Sequence, residues 1–224
     1  MKPVTITQEI FQVGGTGLSA PGDEAVYLIK IGSEAALVDS GTGQATGKIM
    51  ENVKKAGVGP GEIRYLLITH CHFDHTGGAK EIKELTGCEA VAHELEAPFL
   101  EQADQVVTAA KWYGATLQPF TIEKKIRGPR EELVLGGRKI HAIHIPGHSP
   151  GSMAFVMESE GMKVLFGQDV HGPLDPSLLS DKELYLQSLR LLISLEADIL
   201  CQGHYGIIRG RQEVKEFINS FITG

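Results

Sequence analysis

The segment Thr69-His70-Cys71-His72-Phe73-Asp74-His75-Thr76-Gly77-Gly78 follows directly on the apolar run Tyr65-Leu66-Leu67-Ile68, and it holds three imidazoles and a carboxylate between His70 and His75. A buried strand that ends in such a cluster is committed to a polar site at its tip. Side chains alternate in an extended segment, so His70 and His72 share one face while Cys71 and Phe73 share the other. A turn over 73–75 brings Asp74 and His75 to a second point nearby, which suits two metal ions better than one.

Four donors in one stretch cannot enclose two ions, and the rest of the chain supplies further candidates. His148 lies in Pro146-Gly147-His148-Ser149-Pro150-Gly151, Asp169 in Gly167-Gln168-Asp169-Val170, and His204 in Gly203-His204-Tyr205-Gly206. Each loop follows a short apolar segment, over 140–145, 164–166 and 199–201, and glycine beside a donor lets backbone approach an ion closely. Nitrogen and carboxylate donors suit zinc, iron or manganese, and a catalytic ion keeps one position open for water.

This ordered set resembles the metallo-β-lactamase superfamily, whose pattern is His-x-His-x-Asp-His followed by a lone His, a lone Asp and a lone His. The resemblance covers nearly the whole chain, from Asp39-Ser40-Gly41, similar to the family's early Asp-x-Gly turn, to His204 and the closing helix. It implies an α/β (α+β) fold, the four-layer αββα sandwich, as a single domain over residues 1–224. It also implies one ion held by His70, His72 and His148, a second held by Asp74, His75 and His204, and Asp169 bridging the two. The expected cofactors are two divalent ions, zinc ahead of iron or manganese. They would bring the pKa of a shared water toward about 7 and polarise a carbonyl or phosphoryl oxygen. Asp74 is the expected catalytic residue, accepting a hydrogen bond from the resulting hydroxide and aiming its attack.

The function this implies is hydrolysis of a small ester, thioester or lactone. The fold also hosts mononuclear iron persulfide dioxygenases with the same His-x-His-x-Asp-His segment, so that oxidoreductase is the alternative. Phosphodiesterase and β-lactamase activities stand below it, and a non-catalytic binding protein is disfavoured by the intact donor set.

Formal net charge is −7. Two dications bring it to about −3, which leaves no broad basic field for nucleic acid or anionic lipid. The expected partner is therefore a small-molecule substrate, with no nucleic acid and no membrane. No apolar stretch reaches the roughly 18 residues of a spanning helix, and the first residues lack a signal-peptide apolar region, so the expected location is cytoplasmic. Cys71, Cys88 and Cys201 are an odd set at unpatterned spacings, which argues for reduced thiols. Alternation turns Cys71 away from His70 and His72 and into the core.

Periodicity predicts strands over 10–13, 25–31, 35–38, 63–68, 89–92, 132–135, 139–145, 152–157, 163–166 and 198–201. Helices are expected over 44–56, 77–85, 182–194 and 211–221. Residues 97–113 also read as one helix. By analogy with the family, Trp112 and Tyr113 on it line the substrate cleft, the alternative being a helix packed on the flank. His171, two residues after Asp169, and Tyr205, beside His204, are further candidates to face substrate. His144 is placed to orient His148 by hydrogen bonding. The loop after Asp39 fits neither a dinucleotide fingerprint, with Thr46 where glycine is required, nor a P-loop, with Thr42 and Ile49 at its key positions.

Overall fold

Two sheets face each other with helices on both outer sides, in a computed structural model that describes residues 2–167 and 169–223. The first sheet holds, side by side in chain order, β1 (Val4–Thr5), β2 (Ile10–Gln12), β3 (Tyr27–Ile31), β4 (Glu34–Val38), β5 (Ile63–Leu67), β6 (Glu89–His93) and β7 (Lys124–Ile126). Strands β1 to β4 are antiparallel neighbours and β4 to β7 are parallel. Helices α1 (Thr46–Lys55), α2 (Phe73–Thr76), α3 (Ala79–Thr86) and α4 (Ala97–Glu101) lie in the crossovers that parallel pairing requires. The second sheet runs β13 (Ile207–Arg209), β12 (Ile199–Cys201), β11 (Met162–Phe166), β10 (Met153–Ser159), β9 (Arg138–His144), β8 (Arg130–Leu135). Its parallel pair, β11 and β12, is joined through α5 (Lys182–Ser194), and α6 (Arg211–Thr223) closes the fold.

Strand alternation sorts the apolar side chains into three layers. Tyr27, Ile29 and Val38 point inward and meet Phe155, Phe166 and Ile199 of the other sheet. Their neighbours Leu28, Leu37 and Leu66 point outward onto Ile49 of α1 and Ile82 of α3. In the second sheet Val156, Leu165 and Leu200 point outward onto Leu189 of α5 and Ile218 of α6. Each fully buried side chain of this size contributes about 1.5–3 kcal/mol. The result is the αββα sandwich.

That layering fixes where chemistry sits. The C-terminal ends of β4, β5, β9, β11 and β12 lie at one rim of the sandwich, so the loops holding Asp39, His70 to His75, His148, Asp169 and His204 emerge together. Strand β3 runs antiparallel to β4, so residues 23–25, which lead into it, reach the same rim.

Three expectations need correction. The helix read over 97–113 stops at Glu101. Ala103 and Ala109 adopt left-handed backbone (φ 53° and 57°), and the Asp104 carboxylate accepts from Val106 N (2.9 Å) and Val107 N (3.0 Å). Such local side-chain bonds offer the backbone an alternative to helix, and only a 3-10 turn at Ala110–Tyr113 follows. The turn over 73–75 is the one-turn helix α2. Strands β1, β7 and β13, of two or three residues each, carry no readable alternation and were not predicted. Among the described residues no helix is long and apolar enough to cross a membrane.

Helix α5 starts where predicted because Asp181 caps it: its Oδ1 accepts from Glu183 N (2.9 Å) and Leu184 N (3.0 Å). Asp181 N also donates to Gly147 O (2.8 Å), tying the helix start to the His148 loop. Asp181→Ala should cost about 1 kcal/mol, a fall of about 2–4 °C in melting temperature for a chain of this length, measurable by circular dichroism.

Candidate metal centre

The seven donors named from sequence converge. His70 Nε2 lies 3.0 Å from His72 Nδ1 and 3.2 Å from His148 Nε2. Asp169 Oδ2 is 3.4 Å from His148 Nε2, 3.4 Å from His75 Nε2 and 3.7 Å from His70 Nε2, while its Oδ1 is 3.4 Å from His204 Nε2. Asp74 Oδ2 lies 3.4 Å from His204 Nε2 and 3.8 Å from His75 Nε2. Two groups form, each with donor atoms within 4.8 Å of one another: His70, His72, His148 and Asp169, and Glu24, His75, Asp169 and His204. Asp169 belongs to both.

The donor set fits divalent ions. A tetrahedral ion bound at 2.0–2.1 Å by three ring nitrogens needs them roughly 3.3–3.4 Å apart, close to the spacings around His70. Glu24 Oε1 and Oε2, His75 Nε2 and Asp169 Oδ1 are buried with no hydrogen-bond partner. Buried polar atoms are rarely left so in protein interiors unless something else pairs with them.

The outer nitrogens of three imidazoles are pinned so that the inner ones face the centre. His75 Nδ1 donates to Asp39 Oδ2 (2.7 Å) and His148 Nδ1 to Pro173 O (2.9 Å). Thr69 Oγ1 donates to Asp39 Oδ2 (2.6 Å), so it accepts from His70 Nδ1 (3.1 Å). Each Nε2 therefore faces inward, the usual arrangement of metal-binding histidines, whose inner nitrogen gives its lone pair to the ion. Asp39 manages this from left-handed backbone, φ 61°, at the end of β4. Its other oxygen accepts from Thr69 N (2.9 Å), and these bonds hold the unusual conformation in place. His144 does not orient His148. It stacks on the buried His93, with centroids 3.9 Å apart, and its Nε2 bonds Pro150 O (2.9 Å), steadying the His148 loop from outside.

Electrostatics divide the two groups. Burial, with the neighbouring imidazoles, holds His70 and His72 well below the usual histidine range, so both are neutral and can donate lone pairs. Burial also acts to lower His75, but Asp169, Asp74, Asp39 and Glu24 outweigh it and raise its pKa well above the usual value. His204 likewise overcomes burial, through Asp169 and Asp74, and is raised to about 10. Asp169 and Asp74 stay low despite burial because these imidazoles face them.

A cavity of about 120 Å³ opens over the centre, walled by His72, Asp74, Trp112, Tyr113, His171 and His204 among others. Trp112 and Tyr113 thus reach the site although no long helix carries them, and the Tyr113 ring packs 5.7 Å from Phe73. His171 lines the cavity with its ring 4.9 Å from that of His204. Tyr205 is placed elsewhere: it is exposed, packs against His171 and Phe217, and does not line this cavity. Cys71, Cys88 and Cys201 are buried free thiols, with Cys71 turned toward Val107 O.

Sequence reasoning missed Glu24 and Glu96, and saw in Asp39 only a turn. Glu96 is fully buried and accepts from Cys71 N (2.7 Å), Gly151 N (2.6 Å) and Ser149 Oγ (2.8 Å), joining the first motif to the His148 loop. The one local signal for Glu24 was an acid placed immediately before the apolar run 25–29.

The superfamily profile described as metallo-beta-lactamase matches residues 20–204. A "Probable metallo-hydrolase" of Methanocaldococcus jannaschii is 33% identical over 150 residues, 67% of this chain and 68% of that protein. An atrochrysone carboxyl ACP thioesterase of Aspergillus fumigatus is 29% identical over 195 residues, 84% of this chain, which spans only 52% of that protein. A hydroxyacylglutathione hydrolase of Haemophilus influenzae is 28% identical over 195 residues, 83% of this chain and 88% of that one. Among solved structures, a mutant metallo-β-lactamase of Cronobacter sakazakii superposes with a TM-score of 0.83 at 18% identity, covering 100% of this chain and 94% of its own. A subclass B3 metallo-β-lactamase of Bradyrhizobium japonicum gives 0.79 at 25% identity, covering 99% and 90%. With profile, relatives and rim geometry in agreement, the chain belongs to the metallo-β-lactamase superfamily, as one of its metallo-hydrolases.

Proposed function

We propose that this protein hydrolyses a small thioester, ester or lactone with two divalent ions, the first of them zinc. His70, His72 and His148 would hold the first ion, Asp74, His75 and His204 the second, with Asp169 between them. The observation that carries this reading is the sharing of Asp169 by two donor groups on the floor of one open cavity. A pair of dications supplies Lewis acidity there, easing ionisation of water and polarising an acyl oxygen.

The chain's own residues do the rest. Asp74 remains an acceptor although buried, because His75 and His204 lower its pKa against the pull of burial, and it takes a hydrogen bond from the attacking water. Tyr113 keeps its proton: burial, then the charge of Asp74 and a hydrogen bond to it, push its pKa up, so it holds Asp74 in place. The role of His171 follows from Gln202, whose Oε1 accepts from His204 N (2.7 Å) and Tyr205 N (2.5 Å). The amide nitrogen must then donate to His171 Nδ1 (3.0 Å), which leaves the ring proton on Nε2 as a donor for substrate. Burial lowers His171 to about 4, so the ring is neutral at pH 7.

Thioesters are placed first because two relatives carry thioesterase and hydroxyacylglutathione hydrolase in their names. A free small molecule suits the cavity and the net charge of −7 better than nucleic acid or membrane, and three buried free thiols support a reducing, cytoplasmic setting.

The test is a panel of an acyl-glutathione thioester, an aliphatic lactone, a p-nitrophenyl ester, a β-lactam, a phosphodiester and a persulfide with oxygen uptake. Turnover of acyl substrates supports the reading, and turnover of the persulfide or phosphodiester alone overturns it. On the best substrate Asp74→Asn should lower kcat about 100-fold, roughly 2.7 kcal/mol of barrier, with KM within about threefold. An undiminished kcat in a fully metallated variant would remove Asp74 from this role.

A further inference from the structure

We propose that Glu24 is a third carboxylate ligand of the second metal position, making that position receptive to a hard divalent ion such as manganese while the first is built for zinc. The proposal rests on the metal-dependent reading above and adds a residue outside the His-x-His-x-Asp-His pattern and its three downstream partners.

Glu24 is wholly inaccessible to solvent, and neither carboxylate oxygen accepts a hydrogen bond. Its Oε2 points into the centre, 3.2 Å from His204 Nε2 and within 4.8 Å of the donor atoms of His75 and Asp169. The preceding residue shows what an acid with a structural task looks like here. Asp23 accepts from Thr42 N (2.9 Å), Thr42 Oγ1 (2.5 Å) and Ala20 N (2.9 Å), a complete set for closing a turn. Glu24 has no such set: among the described residues the one cationic group beside it is the His204 ring at 3.2 Å, itself a proposed ligand, so once His204 gives its lone pair to an ion the buried carboxylate is left with that ion as its partner.

The backbone delivers Glu24 to this place. Glu24 N donates to Asp74 O (3.4 Å) and Ala25 N to Gly203 O (3.3 Å), stitching the entry of β3 to both ligand loops of the second position. Gly203 lies so close that a Cβ there would overlap the Glu24 carboxylate, so glycine beside His204 makes room for this acid.

With Glu24 included, the second position offers three carboxylates and two imidazoles, against three imidazoles and one carboxylate at the first. Imidazole suits zinc, whereas carboxylate oxygen suits manganese. Glu24 therefore narrows the usual advantage of zinc over manganese at the second position only.

The test loads metal-free protein with one equivalent of zinc, then titrates manganese and follows loss of the free-manganese signal by electron paramagnetic resonance, with elemental analysis of the product. Wild type should take up one manganese per chain and retain its zinc. Glu24→Gln should weaken manganese binding at least tenfold and leave the first zinc unchanged. Because Glu24 accepts no hydrogen bond from the surrounding fold and glutamine is the same size, the metal-free variant should melt close to metal-free wild type. Three results would overturn the proposal: a manganese affinity within twofold of wild type, no second ion in zinc-loaded wild type, or a metal-free variant melting well below wild type, which marks a structural acid. A wild type that binds no divalent ion at all sinks the metal-dependent reading itself, whereas two bound ions with an indifferent Glu24→Gln sink this proposal alone.

Discussion

Stripping divalent ions with a chelator should abolish hydrolysis and lower the melting temperature by about 8–16 °C. Glu24, His70, His72, Asp74, His75, His148 and Asp169 are all buried, and they come from loops of both sheets. An ion at the proposed first position would be held by His70 and His72 after β5 on one side and by His148 and Asp169 after β9 and β11 on the other, so its binding energy would also be sheet-packing energy. At free metal about 1,000 times the dissociation constant, binding stabilises the folded state by about 4.1 kcal/mol. That corresponds to the stated shift at about 2–4 °C per kcal/mol for 150–250 residues. Scanning calorimetry with and without chelator measures it, and restored zinc should recover both properties.

The shift should also grow with pH. In the metal-free protein His75 and His204 have raised pKa values, so their ion pairs with Asp74 and Asp169 stabilise the fold fully below about 6.5. That support is lost as pH rises toward the His204 value of about 10, and an ion no longer has to displace those protons. Equal melting temperatures with and without metal across this range, together with retained activity in a sample shown to be metal-free, would contradict the whole scheme.

What could be read from the sequence follows from how local each interaction is. The donors from His70 to His75 share one short segment, and His148, Asp169 and His204 each sit beside glycine at a strand end, so their order alone suggested one centre. Glu24, Asp39 and Glu96 act through contacts 25 to 55 or more positions away along the chain, and their immediate neighbours, a turn at Asp39 and an apolar run after Glu24, do not mark them as partners of the centre. Half of the hydrogen bonds that Asp39 and Glu96 accept come from backbone N–H groups, which leave no mark in residue identity. The same reasoning explains residues 97–113: helical propensity was visible, but the Asp104 bonds and the pull of Phe73 N onto Thr108 O (2.8 Å) are tertiary facts that override it. His144 was misread because its spacing from His148 predicted a contact that its stacking on His93 prevents.

Glu96→Gln should cost about 3–5 kcal/mol and loosen the first metal position, although Glu96 touches none of the proposed ligands directly. One carboxylate oxygen accepts from Cys71 N, between His70 and His72, and the other accepts from Gly151 N and Ser149 Oγ in the His148 loop. Both oxygens face donors. A glutamine in either orientation therefore turns an NH2 group against a backbone N–H, and no flip satisfies both ends. Hydrogen bonds to a charged acceptor are worth about 1.5–3 kcal/mol, and a stranded buried donor costs about 1–3 kcal/mol more. Relief by movement is blocked on one side, because a Gly151 Cβ would come within 2.8 Å of Glu96 Cγ, which shows how closely that loop already lies on the side chain. The melting temperature should fall by about 10 °C. Zinc affinity should fall with it, because His72 and His148 are held in register through this one carboxylate. A Glu96→Gln protein that melts within 2 °C of wild type and binds zinc as tightly would show that the two loops are aligned by the sheets alone.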